Sequence, residues 1–465
     1  MLKLASGDQI MDASLALFTD RYQLTMLAAY AHGGLSSRRA VFELFVRRLP
    51  PCRRYLVACG IGRIVESLAS LRFTSDDLAY LEADPFLGPA FRHRDVRAMF
   101  EGFRFRATVH AIPEGRICFP HEPLVRVEGT LAEAQLVETL LLSVLNHDTR
   151  VASKCARIVE AARGRDCFEF GSRRTHECAA VDAARAAYVA GFVGTSNEEA
   201  ARRHRIPVTG TMAHAFVLAH AADHGEDGEA AAFRDFCATF DVPSTCLVDT
   251  FDTLRGVERA IEGAARSLAG IRIDSGDLAS LAIKARTRLD LSGAPGARIV
   301  LSDDLDEYRI DAFTRAFIPV DAFGVGTMAV STPDAPSLGA VYKLVAMEDA
   351  SGKLAAVQKR APGKGSSAAP KQVFRTPDAL DDVIGIDGEA LAGEPLLVRV
   401  FDGARVLGDH SAEAARHRLK GDLARAPASL RSITPRLEGE GFPAHRSEAL
   451  KSLHLEVERT GRVLL

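Results

Sequence analysis

From about residue 131 the chain alternates helical stretches with short apolar runs, and this alternation constrains the fold more than any other feature. The runs are Cys167–Phe170, Thr245–Val248, Ile271–Ile273, Ile299–Leu301 and Ala322–Gly324. Short strands separated by helices pair in parallel, because a crossover long enough to hold a helix returns the next strand in the same direction. The last three runs follow one another at roughly one βα unit. Each leads directly into polar residues or glycine: Asp274-Ser275-Gly276-Asp277, then Ser302 to Glu307, then Gly324-Val325-Gly326-Thr327. Both α/β barrels and open doubly wound sheets place their chemistry at the carboxyl ends of strands, so spacing alone does not separate the two. A barrel is the reading favoured here. Residues 1–130 mix helical patterns with strand-like runs at Ala40–Val46 and Leu124–Val127, as in an α+β domain, and residues 131–340 form the α/β part. Residues 341–465 form a C-terminal segment whose Gly/Ser/Ala/Pro-rich stretch 361–371 is expected to be a mobile loop, either a linker or a lid.

Charge excludes one large class of function. Across 465 residues, 58 Lys+Arg face 61 Asp+Glu, a formal charge of −3, without the basic excess that drives nucleic-acid binding. With 47% hydrophobic and 26% charged residues the chain is ordinary globular protein rather than disordered or low-complexity. Its eight cysteines include no C-x-x-C pair and read as reduced core thiols, not a disulfide frame or a zinc cage. Asp8, Asp12 and Asp20 interrupt any secretory signal, and the apolar run Leu136–Leu145 is broken by Glu138 and falls short of the ~20 residues of a membrane span. A cytoplasmic protein with no membrane or nucleic-acid partner is expected.

The strand-end loops carry residue types suited to a phosphorylated sugar. Asp274 and Asp277 can accept hydrogen bonds from sugar hydroxyls or hold Mg²⁺ through water; a helix N-cap with a first-turn acid is the alternative reading. Ser302, Asp303, Asp304 and Asp306 add a second acidic loop on the next strand. Gly324, Gly326 and Thr327 can bring backbone N–H groups and a hydroxyl to an anion, although a lone G-x-G-T is as well read as a tight turn. Phe170 with Arg173 and Arg174 could stack a planar ring and grip a carboxylate or phosphate, against the commoner reading of a core Phe followed by solvated arginines. His214, after the Gly210-Thr211 turn, is a nucleophile or acid/base candidate, or a core histidine. His220 and His224 have helical metal-ligand spacing but lack a third-ligand motif.

In order along the chain, TDRYQLTM (19–26), FGSRRTH (170–176), GTSN (194–197), GTMAHAF (210–216), RIDSGDL (272–278), SDDLDE (302–307), FGVGT (323–327) and VYKLV (341–345) closely resemble nicotinate phosphoribosyltransferase. The match runs through most of the first 375 residues and fades after KQVFR (371–375). The resemblance implies the type II phosphoribosyltransferase fold, an irregular α/β barrel with an N-terminal α+β domain and a C-terminal extension, assembled as a homodimer with shared active sites. It implies an ATP-coupled, ligase-type enzyme of NAD salvage that joins nicotinate to phosphoribosyl pyrophosphate, with Mg²⁺ as cofactor. By motif match, Tyr22 from the neighbouring subunit and Phe170 would sandwich the pyridine ring. Arg173, Thr195, Ser196, Thr211 and Arg272 would surround nicotinate and the reacting centre. Asp274 and the Ser302, Asp303, Asp304 loop would face the ribose and the Mg²⁺ carried on pyrophosphate, with no fixed protein-only metal site. Gly324, Gly326 and Thr327 would bind the 5′-phosphate, and His214 would be the phosphorylated histidine.

Three departures stand out: Arg21 where relatives have an apolar residue, His147-Asp148 in place of an aromatic-Gln pair, and Asp303 where a small residue is frequent. The rival within the same architecture is nicotinamide phosphoribosyltransferase, which carries an Asp matching Ser196; a carboxylate there accepts from an amide but repels nicotinate, so Ser196 favours the acid. The rival of another class is a ligand-binding relative that has lost catalysis, and the joint presence of His214, Asp274 and FGVGT argues against it.

Overall fold

The computed structural model describes residues 15–240, 242–359, 367–437 and 439–465. The chain forms two compact units, one of Met1–Thr149, Ser337–Leu430 and Arg436–Leu465, the other of Arg150–Pro336 and Arg431–Pro435. This differs from three consecutive segments divided at 130 and 340, because the C-terminal third returns to the first unit. There Ala340–Glu348 pairs antiparallel with Arg39–Val46, and Val398–Asp402 pairs antiparallel with Thr108–Ala111. Backbone N–H and C=O groups need partners wherever they are buried, and these come from strands hundreds of residues away that no local pattern announces. Of the stretch expected to be a loop, residues 361–366 lie outside the described residues, and Lys371 begins the strand Lys371–Arg375.

The first unit is built on an eight-stranded sheet. Phe42 stacks on Tyr342 in its core at 5.0 Å, and the Tyr342 hydroxyl donates to the Ala134 carbonyl at 2.7 Å. A smaller four-stranded sheet beside it buries Arg375, which donates to Asp382 and Asp422 at 2.6–2.9 Å. Two of the departures find partners in this unit. Arg21 donates twice to Asp84, at 2.9 and 2.7 Å, and lies over the Phe86 ring. Buried Asp148 accepts from Arg63 at 2.9 and 3.0 Å and pairs with His147. Both are local charge pairs.

The second unit holds six strands: β1 (Asp166–Glu169), β2 (Gly194–Thr195), β3 (Ser244–Leu247), β4 (Leu268–Ile273), β5 (Arg298–Leu301) and β6 (Ala322–Val325). Five of them fall within a few residues of the expected runs; β2 is too short to show as one. All neighbours are parallel, in the order β2-β1-β6-β5-β4-β3. Read from the other edge the order is 3-4-5-6-1-2, a circular sequence with the first strand beside the last. A barrel requires that adjacency, whereas a doubly wound sheet reverses direction at a switch point instead. The fold is mixed α/β with a parallel half-barrel, open between β2 and β3 in the pairing of the described residues. Every carboxyl end of its strands therefore opens on one rim.

Candidate active site

That rim borders a cavity of about 790 Å³ lined entirely by residues of the second unit. β1 contributes Phe168 and, just past its end, Phe170. Alternation along a strand places these two on one face and Glu169 on the other. The two rings are near-parallel at 6.3 Å, and both line the cavity. Gly324 on β6 backs this wall: a Cβ there would stand 2.4 and 2.5 Å from Cε2 and Cδ2 of Phe170. The glycine is thus needed by the Phe170 ring. Gly326 approaches the Phe170 carbonyl, where a Cβ would meet oxygen at 3.0 Å, and Thr327 caps this loop by donating its hydroxyl to Asp304 Oδ1 at 3.2 Å.

The floor is a charged cluster on β4 and β5. Asp274 accepts from the Ser302 hydroxyl and stands 3.6 Å from the Arg272 guanidinium. Arg272 also donates to the Met212 carbonyl at 3.2 Å, and its buried Nε has no hydrogen-bond partner among the described residues. Asp274 is held from behind by Asp249, whose Oδ2 accepts the Asp274 N–H at 3.0 Å and the Ser275 hydroxyl at 2.6 Å. Sequence reasoning missed Asp249, although it follows the end of β3 as Asp274 follows β4, and that repeat was the available signal. The two other acids settle as helix caps: Asp277 accepts from Ser280 N–H, and Asp306 accepts from Tyr308 and Arg309 N–H. Asp303 and Asp304 occupy positive φ, 111° and 36°, a region that costs a non-glycine residue about 1–3 kcal/mol. Arg309 supports both, donating to the Asp303 carbonyl at 2.9 Å and the Asp304 carbonyl at 3.4 Å.

Arg173, on the short helical turn Ser172–Arg174, lines the cavity with its guanidinium exposed, as does the Ser196 side chain. Thr211 lines it as well. Thr195, expected at the ligand, is instead fully buried. Its hydroxyl donates to Glu169 at 2.6 Å and accepts the Asn197 N–H at 3.0 Å, leaving it nothing to offer a ligand. Tyr22 belongs to the other unit, on the helix Arg21–His32, with its ring about half exposed. His214 opens the helix His214–His224 directly after the cavity-lining Ala213. Its Nδ1 lies 3.1 Å from the Thr250 hydroxyl, and its Nε2 has no hydrogen-bond partner among the described residues. His220 is taken up by the Phe216 carbonyl and Asp235, at 3.0 and 3.2 Å, and has no metal cluster around it among the described residues.

The cavity therefore presents an aromatic wall, cations at the ring-side loop and on the floor, the Asp274 carboxylate on a backbone buttressed from behind by Asp249, and a glycine-threonine loop. That set suits an aromatic acid and a phosphorylated sugar side by side. Residues 17–146 match the family model for the nicotinate phosphoribosyltransferase N-terminal domain, and residues 166–384 match the nicotinate phosphoribosyltransferase family model. The chain is 43% identical over 429 residues to nicotinate phosphoribosyltransferase pncB1 of Mycobacterium tuberculosis, covering 90% of this chain and 93% of the relative. It is 41% identical over 373 residues to the nicotinate phosphoribosyltransferase of Bacillus subtilis, covering 78% and 74%. The crystal structure of human nicotinic acid phosphoribosyltransferase superposes with a TM-score of 0.78 at 25% identity, covering 94% of this chain and 99% of that one.

Proposed function

Because the chain belongs to the nicotinate phosphoribosyltransferase family, we propose that it is an enzyme of NAD salvage that joins nicotinate to phosphoribosyl pyrophosphate, with the cavity at the half-barrel rim as its active site. The observation that carries the assignment is that Phe170, Arg173, Asp274, Ser302, Gly326 and Thr327 all line this one cavity. The pyridine ring stacks on Phe170, and its carboxylate faces Arg173, whose guanidinium makes no ion pair among the described residues. Ser196 brings no negative charge to that side. The ring nitrogen attacks the anomeric carbon as the bond to pyrophosphate breaks, giving nicotinate mononucleotide and free pyrophosphate. Positive charge develops on the ribose in this step, and the Asp274 carboxylate, held by the Ser302 hydroxyl on a backbone whose N–H is held by Asp249, is preorganised to face it. The nitrogen already holds its lone pair, so no strong base is required and positioning supplies much of the rate.

Three finer features belong to the same reading. The carboxylates of Asp274, Asp303 and Asp304 at the cavity are hard oxygen donors of the kind Mg²⁺ takes, and Mg²⁺ arriving on the pyrophosphate would neutralise the leaving group. His214 is the acceptor of a phosphoryl group from ATP: with Nδ1 engaged by Thr250, Nε2 is free to attack, and the N-terminus of an eleven-residue helix favours the added negative charge. Tyr22 supplies the second face of the ring sandwich from a neighbouring subunit of a homodimer. Membrane association has no support in helix composition, since no helix among the described residues is long and apolar enough to cross a bilayer.

The test is nucleotide formation from phosphoribosyl pyrophosphate with nicotinate and with nicotinamide, measured side by side. Nicotinate is expected to be used far better; comparable kcat/KM for the two would overturn the pocket assignment, and no product from either would overturn the activity.

A further inference from the structure

Glu169 is the one carboxylate at the end of β1, and it points away from the cavity that its neighbours Phe168 and Phe170 line. Its surroundings are unusual for a group so deeply buried, at 1% exposure. Oε1 accepts the Gly171 N–H, and Oε2 accepts the Thr195 hydroxyl at 2.6 Å. Its own carbonyl accepts the Ser196 N–H at 3.0 Å. The chain of bonds continues: Thr195 accepts from Asn197 N–H at 3.0 Å, and the Asn197 amide donates to the Ser172 hydroxyl at 3.0 Å. One side chain thereby ties together the two loops that carry Phe170 and Arg173 on one hand and Ser196 on the other.

Both partners of the carboxylate donate to it, and the Thr195 oxygen is already occupied as an acceptor for Asn197. An ionised carboxylate satisfies this arrangement fully. An amide would satisfy Gly171 but turn N–H groups toward a hydroxyl that must donate, and an alanine would leave two buried donors without acceptors, which is costly. We propose that Glu169 is a positioning residue for the aromatic acid: it never touches substrate but fixes the ring-side loops in the geometry that receives nicotinate. The inference rests on the active-site reading above. It also accounts for Thr195, whose hydroxyl serves the carboxylate instead of the ligand.

The experiment is steady-state kinetics on the full-length enzyme with Glu169→Gln, Glu169→Ala, Thr195→Val and the Glu169→Gln/Thr195→Val pair, each checked by thermal melting. The expected result is a nicotinate KM raised about tenfold in Glu169→Ala and less in Glu169→Gln, with KM for phosphoribosyl pyrophosphate within twofold of wild type and kcat little changed. Because the two groups act as one unit, the double variant should raise the nicotinate KM less than the product of the single effects. A nicotinate KM unchanged in Glu169→Ala, with wild-type enzyme active, would overturn the proposal. So would equal losses in both KM values and kcat, which signify general damage to the fold. If Glu169→Ala fails to fold, the same KM comparison in Glu169→Gln and Thr195→Val decides. Wild-type protein that makes no nicotinate mononucleotide would refute the active-site reading itself, a result distinct from either of these.

Discussion

Gly324→Ala separates two roles for the same glycine. As part of FGVGT it resembles a phosphate-loop residue, but in the structure it backs the Phe170 ring. The added Cβ would lie 2.4 Å from Cε2 and 2.5 Å from Cδ2 of that ring, and 3.2 Å from the Ser302 Cβ. Carbon atoms pack at about 3.5–4.0 Å, so the ring must shift by roughly 1 Å, and its unfilled side is the cavity. Loss of a well-placed aromatic contact costs about 0.5–1.5 kcal/mol, which is roughly a 2- to 13-fold rise in nicotinate KM. A ring displaced into the volume nicotinate must occupy adds to that. Overpacking costs stability on the order of 1 kcal/mol, at the low end of the usual range because the ring can move outward. Initial-rate measurements with each substrate varied in turn, plus a melting curve, test the assignment. A raised nicotinate KM beside an unchanged KM for phosphoribosyl pyrophosphate is expected. The reverse pattern would show that Gly324 serves the 5′-phosphate and that the contact with Phe170 is incidental.

Four further outcomes are expected. Ser196→Asp should lower kcat/KM for nicotinate by at least about fivefold, since two like charges a few ångströms apart repel by about 1 kcal/mol even in water; an unchanged value would remove Ser196 from the pocket. Asp303→Gly should raise stability by about 1 kcal/mol through relief of its φ of 111°, and should raise the KM for phosphoribosyl pyrophosphate by removing an oxygen donor to its Mg²⁺; a lower melting temperature would show that the Asp303 side chain, 3.8 Å from Arg309, contributes more than the strain. His214→Asn should abolish acid-labile labelling from γ-labelled ATP and nicotinate-stimulated ATP hydrolysis while leaving slow ATP-independent synthesis, and full labelling in that variant would move the acceptor elsewhere. Glu122, buried in the first unit beside Asp382, is held well above the usual carboxylate range by burial and by that neighbour, so the folded state binds a proton that the unfolded state releases. Stability should therefore fall as pH rises from the ordinary Glu range toward the folded pKa, and Glu122→Gln should flatten that slope in melts across pH 5–8; a slope identical to wild type would assign it to other groups.

Five of the six parallel strands were legible because each is a short apolar run bounded by polar residues. β2 was not, because two residues cannot display a pattern. The barrel itself was legible only as one of two options, since the deciding fact is the pairing of β1 with β6, which joins residues far apart in sequence. The C-terminal return to the first unit was hidden for the same reason. At the site, residues whose side chains face the cavity were largely identifiable by type, because ligand chemistry restricts them to acids, cations, glycine or aromatics at strand ends. Asp277 and Asp306 had the right types and nearly the right places, and only the observed helix caps separate them from Asp274 and Asp304.

The residues that escaped notice, Asp249 and Glu169, share a physical character. Each is a buried acid whose carboxylate accepts from the backbone N–H of a neighbouring loop and from a hydroxyl, behind a residue that faces the cavity. A side chain that orients another is selected by a geometry created only on folding, so its type is weakly constrained by the chemistry of the ligand. Glu169 sits between Phe168 and Phe170, and a strand pattern reads it as the solvent-facing member of an alternation when it faces the protein interior. The outer face of a barrel strand is covered by crossover helices, so a charged residue on that face, as Glu169 is at 1% exposure, has no water to turn to. It must be satisfied by hydrogen bonds, and the donors nearest a strand's carboxyl end belong to the loops that build the site. In a parallel half-barrel, then, an acid at the last position of a strand on its outward face is placed to hold the active-site loops.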